Sequence, residues 1–300
     1  MIDKKNSFGK FLSFNKIFLK NLKMIEIKTA AAMLAYFLIF SIFPFFIVLL
    51  NIVSFFFKGK EVDIINFFEK VPEEIGQTIT SVLVSLINSS SSALLSISII
   101  IALWSGSNGI VQLINKVNEA FGHEPSRSFF KKRLLGIAFT IGLVALIILV
   151  LASGVFNNLI LDLLLKFVGD NKFIRLMYKI IIFIVPIIFM IITFFLLYYF
   201  SQNKADRHKV SLLYVLIGSI ATTLLWILVT NGFGFYVANF ASYDKTYGSI
   251  GGVIVLLTWL YLSSAILIVG AVFASSLQNY KDSKDINKTI YKNIKSNKKG

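Results

Sequence analysis

Residues 180–200 read IIIFIVPIIFMIITFFLLYYF, 21 consecutive positions without a charge. As a helix rising 1.5 Å per residue, this run is about 31 Å long, enough to cross a hydrocarbon core of about 30 Å. In water such a surface has no solvated face. In lipid it is complete as it stands, because a helix satisfies its own backbone hydrogen bonds. The rest of the chain agrees. Hydrophobic residues make up 56% of 300 positions and charged residues only 15%, where a soluble domain carries about a quarter.

Working outward from residues 180–200, hydropathy predicts six spans: 30–57, 93–119, 134–157, 174–200, 210–231 and 250–278. The fold class is therefore all-α, a polytopic membrane bundle of six transmembrane helices. Kinked or broken segments and amphipathic interfacial helices are expected within it. Three parts follow: a basic amphipathic segment over 1–29, the membrane domain over 30–278, and a basic disordered tail over 279–300. The first span is expected to act as its own uncleaved signal, since no small-residue cleavage site follows the Lys-studded start.

Charge gives an expected orientation. Seven Lys precede the first span, five Lys or Arg lie between spans two and three, and three lie between spans four and five. Seven more follow residue 279, so 22 of 30 basic residues fall on one side. That side is read as cytoplasmic, with both termini inside. In the N-terminal segment Phe8, Phe11, Leu12, Phe18, Leu19, Leu22 and Ile25 share a helical face, and the lysines point elsewhere. A helix of that kind lies in the headgroup plane and attracts anionic lipid. On the other side, residues 61–87 are acidic and patterned as amphipathic helix. The part over 72–87 fits either a cap on the bundle or an interface with a second copy or an envelope protein.

Charged residues deep in a span are the usual mark of ion coupling. Here Glu119, Asp162, Lys179 and Asp244 all fall near span ends. The polar residues inside spans are amides, hydroxyls and glycines in two clusters. One holds Trp104, Ser105, Asn108 and Asn115, with Asn108, Asn115 and, less closely, Gln112 on one face. The other is a broken segment from Asn231 to Gly252, in which Asn239, Tyr243, Tyr247 and Ser249 accompany several glycines. These eight residues, Trp104 to Ser249, are the candidate lining of a substrate cavity. Gly248 and Gly252 make a GxxxG spacing suited to close helix packing. With Gly251 they are expected as packing or hinge positions, as are Pro44 and Pro186 inside apolar spans.

Enzyme chemistry finds little foothold. There is no cysteine, no Walker-type phosphate loop, and neither His123 nor His208 has a carboxylate at ligand spacing. No catalytic residue, cofactor or metal is expected. The basic charge follows from membrane topology and gives no reason to expect nucleic acid as a partner.

Several strings carry a family resemblance. They are TAAAMLAYFLIFSIFP over 29–44, Ala102-Leu103-Trp104-Ser105 with Gly109, and Asn118 to Gly122. The basic stretch Arg127 to Arg133 adds to them, as does YVANFASYDKTYGSIG over 236–251 with Trp259 to Leu262 and Gly270-Ala271. Together, over about residues 25–278, the chain resembles the YihY/BrkB family, historically labelled ribonuclease BN. Where that family carries an acidic residue after its Gly-Ala pair, Phe273 stands nearby, so no role for that carboxylate is carried over. The resemblance implies a bacterial inner-membrane protein with six spans, and links to serum resistance and envelope lipid export. The expected function is a transporter or flippase for a lipid or other amphiphilic envelope molecule, with membrane lipids as partners and anionic headgroups at the cytoplasmic face. The alternatives are an ion-coupled exporter or antiporter and a non-transporting scaffold. A membrane ribonuclease is disfavoured, because no nuclease site is visible.

Overall fold

The computed structural model describes residues 4–40, 92–123, 128–154, 157–203, 210–240 and 250–297. They form α1 (Lys4–Met24), α2 (Ile27–Phe40), α3 (Ser92–Ala120), α4 (Phe129–Gly154), α5 (Asn157–Val168), α6 (Lys172–Ser201), α7 (Leu212–Phe240) and α8 (Ile250–Asn297). No strand occurs among the described residues. Helices α6, α7 and α8 are each long and apolar enough to cross a membrane. Helices α3 and α4 coincide with the second and third expected spans, and α2 with the start of the first. Pro44 and the amphipathic region over 61–87 lie outside the described residues.

Helix α3 sits at the centre, packed on α4, α6 and α8. Its polar stretch does not interrupt it. Gly106, Ser107 and Gly109 are buried, and a Cβ on Gly109 would stand 3.2 Å from Phe37 of α2. Small residues here let backbones approach, as helices in lipid require. Helix α6 likewise runs without a break on both sides of the buried Pro186.

The tightest crossing joins α7 to α8. The buried positions of α7 are Val215, Gly218, Ser219, Thr222 and Thr223, a helical stripe facing Gly270, Ala271 and Ala274 of α8. A Cβ on Gly218 would lie 2.5 Å from the Ala274 methyl. One on Gly270 would run into the Thr222 hydroxyl and stand 2.6 Å from the Tyr198 hydroxyl. Tyr198, fully buried on α6, donates to the Leu267 carbonyl at 2.7 Å and meets Thr222 Oγ1 at 3.0 Å. Trp226 of α7 and Trp259 of α8 close the same crossing further along, edge to face at 5.9 Å. Close packing of small residues is thus found at Gly218-x-x-x-Thr222 against Gly270-x-x-x-Ala274. Gly248 lies outside the described residues, and a Cβ added to Gly252 would have no described atom within 4 Å.

Two expectations are corrected. The segment from Asn231 is not broken at its start, because α7 continues through it to Phe240. A helix interruption in lipid exposes backbone groups at several kcal/mol each, more than the roughly 1 kcal/mol by which a glycine disfavours helix. Asn231 and Asn239 add a bond back to the Ile227 and Phe235 carbonyls, at 2.7 and 2.8 Å. The tail expected to be disordered continues α8 as helix to Asn297. Extending an existing helix avoids the costly nucleation step, and Ile286, Ile290 and Ile294 recur at helical spacing there.

Helix α1 is amphipathic as expected but does not present one apolar face. Phe14 and Phe18 meet Phe273 of α8 edge to face at 5.6 and 5.9 Å, and Asn21 donates to Ser276 Oγ at 3.0 Å. Phe11, Leu12 and Leu19 stay exposed on another side.

Gly270→Ala is expected to destabilise the protein by about 1–3 kcal/mol through overpacking, seen as a lower midpoint in thermal unfolding of the detergent-solubilised protein. Gly234→Ala, in open surroundings, should be neutral or stabilising; equal midpoints for the two variants would contradict the close crossing. Tyr198→Phe removes one interhelical donor and should cost about 0.6–1.7 kcal/mol, the range for such bonds in membranes. In a double-mutant cycle with Thr222→Val the two effects should be less than additive.

Candidate functional site

Two polar groups lie inside the apolar bundle around α3. The first begins at the C-terminus of α6, whose last carbonyls have no partner within the helix. Asn118 of α3 supplies one donor, bonding Ser201 O at 2.7 Å while also reaching Ile114 O at 2.9 Å. Gln202 supplies another, from Nε2 to Tyr198 O at 3.1 Å. Its Oε1 meets His123 Nδ1 at 2.7 Å, which makes that nitrogen the donor. His123 reaches this place because α3 ends in a Schellman turn: His123 N bonds Asn118 O at 2.9 Å, Gly122 N bonds Glu119 O at 3.0 Å, and Gly122 takes φ +74°. The Asn118–Gly122 string is thus a helix stop that ties α3 to α6, and His123 is engaged by an amide.

The second group lies deeper. Arg133, near the start of α4, is only 8% exposed. Its guanidinium carbon stands 3.7 Å from the centroid of the Trp104 ring, and Nη1 donates to Asn108 Oδ1 at 2.7 Å. Asn108 lies eight residues, or about 12 Å along the axis, from the exposed Lys116–Glu119 pair that marks the polar end of α3. The contact thus lies about two turns in from that end on α3 and four residues in from the start of α4. Trp104 is 51% exposed, so the site is not sealed on its side. Ser105 is half-buried next to it. Asn115, two turns along on the same face as Asn108, holds a buried Oδ1 without a partner among the described residues.

The first expected cluster, Trp104, Ser105, Asn108 and Asn115, is therefore assembled on one helix, and the structure adds Arg133. From the second, Asn239 is exposed on α7 and bonded to its own helix, away from this group. Tyr243, Tyr247 and Ser249 lie outside the described residues. Arg133 was missed because it ends a basic run that topology alone explains. Its register gives it away: Arg133, Gly136, Phe139 and Leu146 form the buried stripe of α4, at spacings of three, three and seven. Among the described residues no three metal-ligating side chains converge. At the α5–α6 connection Arg175 grips Asp170 through two 2.7 Å bonds, which hold that exposed carboxyl below its ordinary range.

Comparison with known proteins agrees with this architecture. The family model described as virulence factor BrkB matches residues 18–290. A ribonuclease-like protein YfkH of Bacillus subtilis is 35% identical over 277 residues, 92% of this chain and 99% of that one. A UPF0761 membrane protein of Aeromonas salmonicida is 34% identical over 96 residues, covering 32% of each chain. One of Xanthomonas campestris is 37% identical over 75 residues, covering 25% of this chain and 18% of its own. No solved structure matches. With its apolar helices and a match running nearly end to end, this chain is a helical membrane protein and belongs to the BrkB family.

Proposed function

We propose that this protein moves a lipid or another amphiphilic molecule across or out of the bacterial inner membrane, with its basic ends in the cytoplasm. The observation that carries the reading is a polar site between α3 and α4, Arg133 with Asn108, flanked by the half-exposed Trp104 and followed along the same face by Asn115. A molecule with a polar head and an apolar tail fits a site of this kind, because the head finds hydrogen bonds while the tail stays in lipid. The remaining buried polar side chains among the described residues are uncharged hydroxyls and amides. That composition suits an amphiphile better than a proton or sodium relay, which uses intramembrane carboxylates or histidines.

Four of the nine buried Ser and Thr side chains among the described residues are excluded from the path. Ser219, Thr222, Thr223 and Ser275 bond carbonyls of their own helices at 2.7–3.0 Å and serve the α7–α8 packing. The path residues of this proposal are Trp104, Asn108 and Asn115, with Tyr243 and Tyr247 as further candidates. A scaffold is the second reading. Helix α8 has 48 residues, about 72 Å of helix against about 30 Å of hydrocarbon, so it projects well past the membrane where a partner could hold it.

The test is lipid scrambling by the purified protein in liposomes, with fluorescent anionic and zwitterionic lipids and an impermeant quencher outside. Quenching beyond the outer leaflet is expected, slowed several-fold by Asn108→Ala and Asn115→Ala. Quenching confined to the outer leaflet for every lipid, with folded protein, would shift the assignment to the scaffold; crosslinking from α8 should then recover a specific partner.

A further inference from the structure

The guanidinium of Arg133 is charged, buried and poorly matched by the protein around it. Guanidinium carries N–H donors on three nitrogens in a planar fork and cannot be discharged at ordinary pH. Here one donor meets Asn108 and one face of the plane meets Trp104. Nε is buried with no partner, and no carboxylate pairs with Arg133 among the described residues. A buried cation left this way is costly, and removing the counter-charge of such a group ordinarily costs several kcal/mol. A purely structural clasp between α3 and α4 would not need a charge, since Gln or Met would span the same gap without one.

The surroundings suit an added anion. Asn108 turns its oxygen to the guanidinium, which leaves its NH₂ as a second kind of donor beside the fork. Trp104 covers one face of the cation and leaves its edges for hydrogen bonding. A phosphate or carboxylate presents two oxygens at the spacing that a guanidinium fork takes bidentately. Near Arg133 in sequence, Phe130 and Leu134 of α4 are exposed, apolar surface on which an acyl chain can lie.

We propose that Arg133 and Asn108, backed by Trp104, form a site between α3 and α4 for the anionic group of an amphiphile, a phosphate above all. This rests on the amphiphile-transport reading and names the chemistry of its substrate head. The same chemistry is offered by a phospholipid headgroup and by free inorganic phosphate, and the experiment separates the two.

The chain has three tryptophans. Trp226→Phe with Trp259→Phe leaves Trp104 as the sole reporter, in contact with the guanidinium. This protein is placed in phosphatidylcholine nanodiscs and titrated with phosphatidylglycerol, or with inorganic phosphate. Phosphatidylglycerol should shift the Trp104 emission saturably. Arg133→Gln should weaken that response by about tenfold or more, and Arg133→Lys, which keeps the charge but loses the fork, by less. A response to phosphate as well supports a site open to free anions; a response to phosphatidylglycerol alone supports one that takes its anion on a lipid. If Arg133→Gln loses its helical circular dichroism, Asn108→Ala decides, with a weaker response expected. An unmoved emission in the parent, or equal affinity in folded Arg133→Gln or Asn108→Ala, overturns the proposal. Binding is read at equilibrium without flux. Binding without scrambling therefore counts against transport and leaves the anion site standing, and scrambling without anion binding does the reverse.

Discussion

The arrangement of this bundle depends on one contact, the hydroxyl of Tyr198 held against the α7–α8 crossing. In lipid there is no hydrophobic drive to bring apolar helices together, so packing and interhelical hydrogen bonds must do it. Tyr198 brings both. Its ring fills the space between three helices, and its hydroxyl donates to the carbonyl of Leu267 next to Thr222. That carbonyl is reachable because Gly270, three residues on, has no side chain to screen it. Replace the absent Cβ and the phenol, the threonine and the α8 backbone compete for one volume. Three helices are thereby fixed in rotation about their axes, and the faces of α6 that meet α3 and α4 follow.

Helix α3 is the second organising element. It is less apolar than α4 and α6, and its small residues Gly106, Ser107 and Gly109 are turned inward. At one end it completes the carbonyl ends of α6 through Asn118; further in, it meets Arg133 through Asn108. The two contacts differ in character. The first matches amide donors to the end carbonyls of α6, while Asn118 Oδ1 and Ser201 Oγ stay buried without a partner among the described residues. The second pairs a full charge with a neutral amide and an indole face, a combination that helix packing alone does not explain.

Much of the fold was legible because lipid imposes a simple rule on length and charge. The expected span over 174–200 is α6 at Lys172–Ser201, and that over 93–119 is α3 at Ser92–Ala120. What hydropathy does not carry is rotation. Helix α7 is apolar on every side, with leucines and isoleucines toward lipid and Val215, Gly218, Ser219 and Thr222 toward protein. A reading based on apolar periodicity has nothing to hold in such a helix, so the GxxxG pattern at Gly248 and Gly252 stands out ahead of the less conspicuous Gly218 and Gly270. The same limit hid Arg133, whose neighbours Lys131 and Lys132 share its charge and not its direction. Of the candidate site, the α3 half was readable from its amides, while its cationic half needed the antiparallel pairing of α3 with α4.

The docking of α1 on α8 has a mechanical meaning. Phe14 and Phe18, ahead of the first apolar helix, touch Phe273, and Phe14 also meets Tyr280 beyond it, near the end of the last. The N-terminal helix and the last apolar helix are thus joined directly, whatever path the chain takes between them. Any displacement of the last helix along the membrane normal would therefore drag the N-terminal helix with it, so the two ends of the polypeptide move as a single part.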